Sequence, residues 1–216
     1  MKREVSSYYP VFMKLTGKRC VVIGGGQVAL RKVGALIECG ADIEVISPHL
    51  CPELNKIAED GGITVRRRPY RSGDLKGASI AVAATGEHGI NLEIVKEARS
   101  TGALINVVDD PENSDFIVPS YFRRGDVTVA VSTAGRSPAL ARKIRTGLET
   151  NLGEEYAALA LIIDGVRDEM KKTGIMVNGD DWQRAIDLDM YIELLKKNDA
   201  EKVRQLILDN LKALCK

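Results

Sequence analysis

Two β-branched runs, RCVVI at 19–23 and DIEVIS at 42–47, bracket a segment in which Ala29, Val33, Leu36 and Ile37 recur at helical spacing. The helix this spacing predicts stops at Gly40, a residue suited to the left-handed position just past a helix end. The alternation continues. A second helix is expected over 50–60, a third strand at ITVRRR (63–68) and a small-residue apolar strand at ASIAVAAT (78–85). A helix over 88–101, ending at Gly102, and a strand at ALINVV (103–108) follow. Strands alternating with helices imply a parallel sheet with right-handed crossovers. Several strands are continuous apolar runs, as expected where both faces of a sheet are covered.

The pattern changes after residue 112. DFIVPS (115–120) and DVTVAVS (126–132) flank FRRGD too closely for an intervening helix, and read as a hairpin-like pair. SPALARKIRTGLET (137–150) reads as a helix with Ser137 as N-cap and Pro138 at the first helical position. From 151 the chain reads as wholly helical. Tyr156, Leu159, Ile163, Val166 and Met170 form one stripe. Val203, Leu206, Ile207, Asn210, Leu211 and Leu214 form another, with Asp199 as its N-cap. Such stripes are the seams of a helix–helix core, or else a groove for a partner. The expected fold is α/β: a Rossmann-like parallel-sheet domain over 1–113, a strand pair plus helix over 114–150, and a helical domain over 151–216.

Composition narrows this picture. A chain of 216 residues, 44% hydrophobic and 28% charged, is an ordinary folded protein. A net charge of +1 argues against a broad nucleic-acid surface. The four cysteines, Cys20, Cys39, Cys51 and Cys215, have no CxxC spacing and read as reduced thiols. The opening MKREVSSYYP lacks the apolar core of a signal peptide, and no apolar run approaches the roughly 20 residues that span a bilayer. A cytoplasmic location is expected, with neither nucleic acid nor membrane as a partner.

Three clusters carry candidate chemistry. In Gly24-Gly25-Gly26-Gln27-Val28-Ala29, the pattern G-x-G-x-x-A follows a strand and opens a helix. The first glycine allows the tight turn, the second lets backbone approach a pyrophosphate, and Ala29 lets the helix pack on the sheet. A tight turn with no ligand is the alternative. Where a ribose-binding acid usually ends the second strand, this chain has Ser47-Pro48-His49. Ribose contacts then fall to Ser47 and His49, although His49 reads equally as a solvated loop residue. No arginine follows to clamp a 2′-phosphate, which favours NAD over NADP. The second cluster, Asn106-Val107-Val108-Asp109-Asp110-Pro111, closes a parallel strand, where open α/β sheets bind ligands. Asp109 there is a candidate proton acceptor, and turn chemistry is the competing reading for both aspartates. Thr85 is a further candidate at the rim. In the third, Ser132-Thr133-Ala134-Gly135 runs into Arg136-Ser137-Pro138 and a helix start, with Arg142, Lys143 and Arg145 nearby and Arg123-Arg124 in the preceding hairpin turn. This arrangement suits a polycarboxylate, or is simply a solvated basic face. No His/Cys cluster has the spacing of a resident metal site.

The segments YYPVFMKLTGKRCVVIGGGQVALRK (8–32), AVAAT (81–85), NVVDDPENSDFIVPS (106–120) and VAVSTAGRSPALARKIR (129–145) together resemble the precorrin-2 dehydrogenase family, which includes the N-terminal part of siroheme synthase. The resemblance is strong over residues 8–150. It implies NAD⁺-dependent oxidation of precorrin-2 to sirohydrochlorin, with Fe²⁺ insertion in some members. It also implies a homodimer formed through the segment after the nucleotide domain, and a helical domain over the active site. The family's functional aspartate falls on Asp109. Its cofactor contacts fall on Gly24, Gly26, Gln27, Val28, Ser47, Pro48, His49, Thr85, Asn106 and Val107. Its substrate loop falls on Ser132, Thr133, Gly135, Arg136 and Ser137. The length leaves no room for the methyltransferase portion of a full siroheme synthase, so uroporphyrinogen methylation is expected from another protein. Two other readings stand beside this one: a different NAD(P)-dependent dehydrogenase of an acidic substrate, and a dinucleotide-sensing module without chemistry.

Overall fold

A computed structural model describes residues 8–215. The reading of the first residues as free of a signal segment falls partly outside that range. The chain forms two compact units, which meet in sequence at Val118 and Pro119. Among the described residues, no helix is long and apolar enough to cross a membrane.

The first unit alternates β1 (Arg19–Ile23), α1 (Gln27–Glu38), β2 (Asp42–Ile46), α2 (Pro52–Glu59), β3 (Thr64–Arg66), β4 (Ile80–Ala83), α3 (His88–Thr101) and β5 (Leu104–Val107). The five strands are parallel in the order β3-β2-β1-β4-β5. The chain runs outward from β1 to β3, then jumps back across β1 to β4. The strand order therefore reverses between β1 and β4, at the switch point where such folds bind ligands.

Both faces are covered, which explains the continuous apolar runs. Val21, Ile23, Ala81, Ala83, Ile105 and Val107 pack with Ile94, Val95 and Ala98 of α3. The residues between them, Cys20, Val22, Ile80 and Val82, pack with Ala29, Val33 and Leu36 of α1 and Leu54 of α2. Helix α3 ends as its sequence predicts, with Gly102 left-handed at φ 78°. Glu44 of β2, although buried, is paired with Arg19 and Arg66, so its charge is compensated.

The second unit opens with an antiparallel hairpin of β6 (Ser120–Arg124) and β7 (Val127–Val131), closed by Gly125-Asp126. The hairpin is present but its first strand is not DFIVPS. Asp115 turns that segment onto β5 instead: its N–H donates to Ile105 O, and its carboxylate accepts from Ile105 N–H. Pro119 offers no ladder N–H, so pairing starts at Ser120. Arg123 and Arg124 consequently lie in β6 rather than in the turn. Helix α4 (Pro138–Asn151) starts as expected, with the Ser137 side chain accepting from Leu140 N–H.

Four helices follow: α5 (Glu155–Lys172), α6 (Gly179–Ala185), α7 (Leu188–Lys196) and α8 (Ala200–Leu214). The stripes Leu159/Val166/Met170 and Val203/Ile207/Leu211 meet in a single core around the fully buried Tyr191. The Tyr191 hydroxyl donates to Ala185 O at 2.8 Å and accepts from Asn210 Nδ2 at 3.1 Å. Removing it by Tyr191→Phe deletes both bonds, while the Asn210 amide keeps its 3.3 Å bond to Ala185 O. The expected loss is about 0.5–1.5 kcal/mol in a denaturant titration of the helical unit. A change within error would mean that the carbonyl and amide find other partners.

Candidate functional site

The ends of β1 and β4 press together at the switch point. Gly24 sits at φ 124°, and a Cβ there would lie 2.3 Å from Ala84 O. Gly25 is as constrained from the other side: a Cβ would lie 1.9 Å from His49 O and 2.8 Å from Ser47 Oγ. Its carbonyl accepts from Cys51 N–H at 2.7 Å, so the β2–α2 loop clasps the turn. The fingerprint leaves this middle position free, and only the folded loop reveals its constraint. Gly26 differs from both, since a Cβ there would meet nothing within 4 Å. Gly26 is also the N-cap of α1, where no side chain accepts from the first turn and no acidic residue lies within it. An open approach, free N–H donors and an uncompensated helix dipole are what a pyrophosphate requires. The residues present therefore fit a bound dinucleotide, with Gln27 and Val28 on the first turn beside it.

At the end of β2, Ser47 is buried and its hydroxyl donates to His49 O at 2.7 Å. Pro48 and His49 are exposed. Across the mouth of the turn, the Gln27 side-chain amide donates to Glu53 of α2 at 3.2 Å. The Glu53 carboxyl is held below the usual carboxylate range by its own backbone N–H first, then by Cys51 and Gln27.

The two aspartates beyond β5 have different environments. The Asp110 carboxylate holds the Asn113 side chain at 2.7 Å and its N–H at 3.2 Å, and the side-chain bond leads in lowering its pKa. This is turn chemistry. Asp109 is exposed, left-handed at φ 60°, and makes no hydrogen bond or ion pair among the described residues. A non-glycine residue in that conformation is uncommon and costs backbone strain.

Beside Asp109 lies a group that periodicity did not single out. Lys32 of α1 donates to Asn106 Oδ1 at 2.9 Å, and Asn106 Nδ2 donates to Phe116 O at 3.0 Å. Burial, then Arg31, lowers the Lys32 pKa, while the charge of Asp109 acts in the opposite direction. The Asn106 side chain is thus engaged within the protein. Val107 is buried, with its N–H and carbonyl both bonded to the Ser114 hydroxyl. The Thr85 hydroxyl lies 2.6 Å from Asn91 Oδ1 and accepts from Glu87 N–H, organising the start of α3.

In the second unit, Ser132 to Ser137 form a tight loop. The Thr133 hydroxyl bonds both the N–H and the carbonyl of Ser137, and Ala134 and Gly135 are left-handed. Arg145 pairs with Glu149, and Arg124 pairs with Glu149 and Glu154. Arg136, Arg142 and Lys143 are exposed and form no ion pair among the described residues.

A doubly wound parallel sheet, with an uncapped, glycine-lined helix start at its switch point, defines a dinucleotide-binding α/β protein. Residues 11–120 match the family described as putative NAD(P)-binding, and the chain belongs to that family. Residues 124–151 match the family described as sirohaem biosynthesis protein central. A siroheme synthase of Nitrosococcus oceani is 37% identical over 83% of this chain and 39% of its own length. The siroheme synthase of Chromobacterium violaceum is 40% identical over 76% of this chain and 35% of its length. Siroheme synthase 1 of Aeromonas salmonicida is 35% identical over 92% and 43%. The chain thus spans well under half the length of these relatives. A solved structure of SirC, a precorrin-2 dehydrogenase, aligns with a TM-score of 0.68 at 24% identity, covering 95% of this chain and 100% of that one, and shares the fold. The resemblance drawn from the four sequence segments is borne out.

Proposed function

We propose that the chain oxidises precorrin-2 to sirohydrochlorin with NAD⁺, as a cytoplasmic homodimer. The observation that carries this reading is Asp109: a strained, unpartnered carboxylate at the carboxyl end of β5, on the sheet edge that also bears the open glycine turn. A residue kept left-handed without a structural partner is explained by a ligand it serves. When bound, NAD⁺ supplies the hydride acceptor. Asp109 takes the proton released as the substrate C–H and N–H system is dehydrogenated, while Lys32 keeps that carboxylate in an electropositive setting. Ser132, Thr133, Gly135, Arg136 and Ser137 receive the substrate carboxylates, with the unpaired charge of Arg136 leading. The siroheme synthase relatives and the SirC fold support the substrate. Support for the homodimer comes from α4, where Leu140, Ile144 and Leu148 form an exposed apolar stripe at i, i+4, i+8 spacing.

An anaerobic absorbance time course with enzymatically generated precorrin-2 tests the reading, run with NAD⁺, with NADP⁺ and with neither. Conversion to the sirohydrochlorin spectrum with NAD⁺ is the expected result. A folded protein that binds NAD⁺ yet converts nothing would sink it.

A further inference from the structure

The end of β2 lacks the acid that ordinarily binds the adenosine ribose, and Ser47, which stands there, is poorly suited to replace it. It is buried, and its hydroxyl proton is committed to the His49 carbonyl. The structure offers a carboxylate from another element. We propose that Glu53 of α2, held by Gln27 across the mouth of the glycine turn, recognises the ribose diol and excludes a 2′-phosphate. This rests on the dinucleotide reading above.

The placement follows from α1. Gly26 and Gln27 begin the helix whose free N–H groups mark the pyrophosphate position. A group within 3.2 Å of the Gln27 amide therefore lies one side chain from those phosphates, on the β2 side, where the adenosine half of a dinucleotide runs. Glu53 is exposed, and its carboxylate is bonded by its own backbone N–H, Cys51 and the Gln27 amide, all neutral donors rather than a cation. Its charge is therefore uncompensated, and its remaining acceptor sites can take ribose hydroxyls while the charge repels a phosphate. The run of three arginines at 66–68 is engaged. Arg66 pairs with Glu44 and Asp74, and Arg68 with Asp74. Arg67 donates to Asn55 at 2.8 Å. An acid in the first turn of α2 also favours that helix through its dipole. That role alone would make Glu53 indifferent to which cofactor is bound.

Equilibrium titrations of the full chain with NAD⁺ and with NADP⁺ separate the two roles, using wild type, Glu53→Gln and Gln27→Met. In Glu53→Gln the ratio of NAD⁺ to NADP⁺ affinity should collapse by about tenfold or more, since a hydrogen bond to a charged group is lost and a repulsion removed. Gln27→Met, which frees the carboxylate from its anchor, should shift the ratio the same way by less. A thermal melt within a degree or so of wild type confirms that the fold is intact. An unchanged ratio in Glu53→Gln overturns the proposal while leaving the dehydrogenase reading standing. Failure of the wild type to bind either dinucleotide would overturn both.

Discussion

Asp109→Asn should slow precorrin-2 oxidation by about 10²–10⁴-fold, the range that a positioned proton acceptor contributes. The NAD⁺ dissociation constant should stay within about twofold. Asparagine is the informative replacement because it tolerates the left-handed backbone that Asp109 adopts at φ 60°. Only the carboxylate is removed. Asp109→Ala removes the same group but forces a Cβ residue without that tolerance into the strained position, so part of its effect would be a lowered melting temperature. The neighbouring Asp110→Asn is the control. It weakens the bonds to Asn113 and loosens the turn, and should cost stability more than rate. Single-turnover absorbance and NAD⁺ titration on the same preparations decide the matter. Equal losses of turnover and NAD⁺ affinity in Asp109→Asn would make Asp109 a cofactor residue instead.

The second large effect separates two adjacent glycines. Gly25→Ala places a methyl 1.9 Å from the His49 carbonyl oxygen, a backbone atom that cannot swing aside. The β2–α2 loop must shift, at a cost of about 1–3 kcal/mol as overpacking, and NAD⁺ binding should be lost with it. Gly26→Ala meets nothing within 4 Å, and its backbone at φ −88° and ψ −171° is ordinary extended chain. That variant should melt with the wild type, yet bind NAD⁺ at least about tenfold more weakly, because the methyl stands where backbone must approach the pyrophosphate. Paired melts and titrations read both quantities. Wild-type affinity in Gly26→Ala would mean that the phosphates lie elsewhere.

Much of this molecule is written locally. The strand at 19–23, the helix from 88 to 101 with its stop at Gly102, and the capped start of α4 at Ser137 were each legible, because periodicity and caps act over one or two turns of chain. The glycine turn was legible as a dinucleotide signal because it sat between a strand and a helix. The first hairpin strand was misplaced. DFIVPS has the composition of a strand, but Asp115 and Pro119 redirect it onto β5, and pairing begins only at Ser120.

By itself, then, the sequence determined the order of elements, the alternating α/β plan and the family. It pointed to Asp109 through the strand end and the family resemblance, but it gave no physical difference from Asp110, the same residue type beside it. That difference arises because Asn113 returns to hold one carboxylate while the backbone turns the other outward. Nor did it show the constraint on Gly25, the reach of Lys32 to Asn106, or Glu53 facing Gln27. Each joins residues 22 to 74 positions apart in the chain, and such pairs meet only when strands stack in the order 3-2-1-4-5 and bring their ends to one edge.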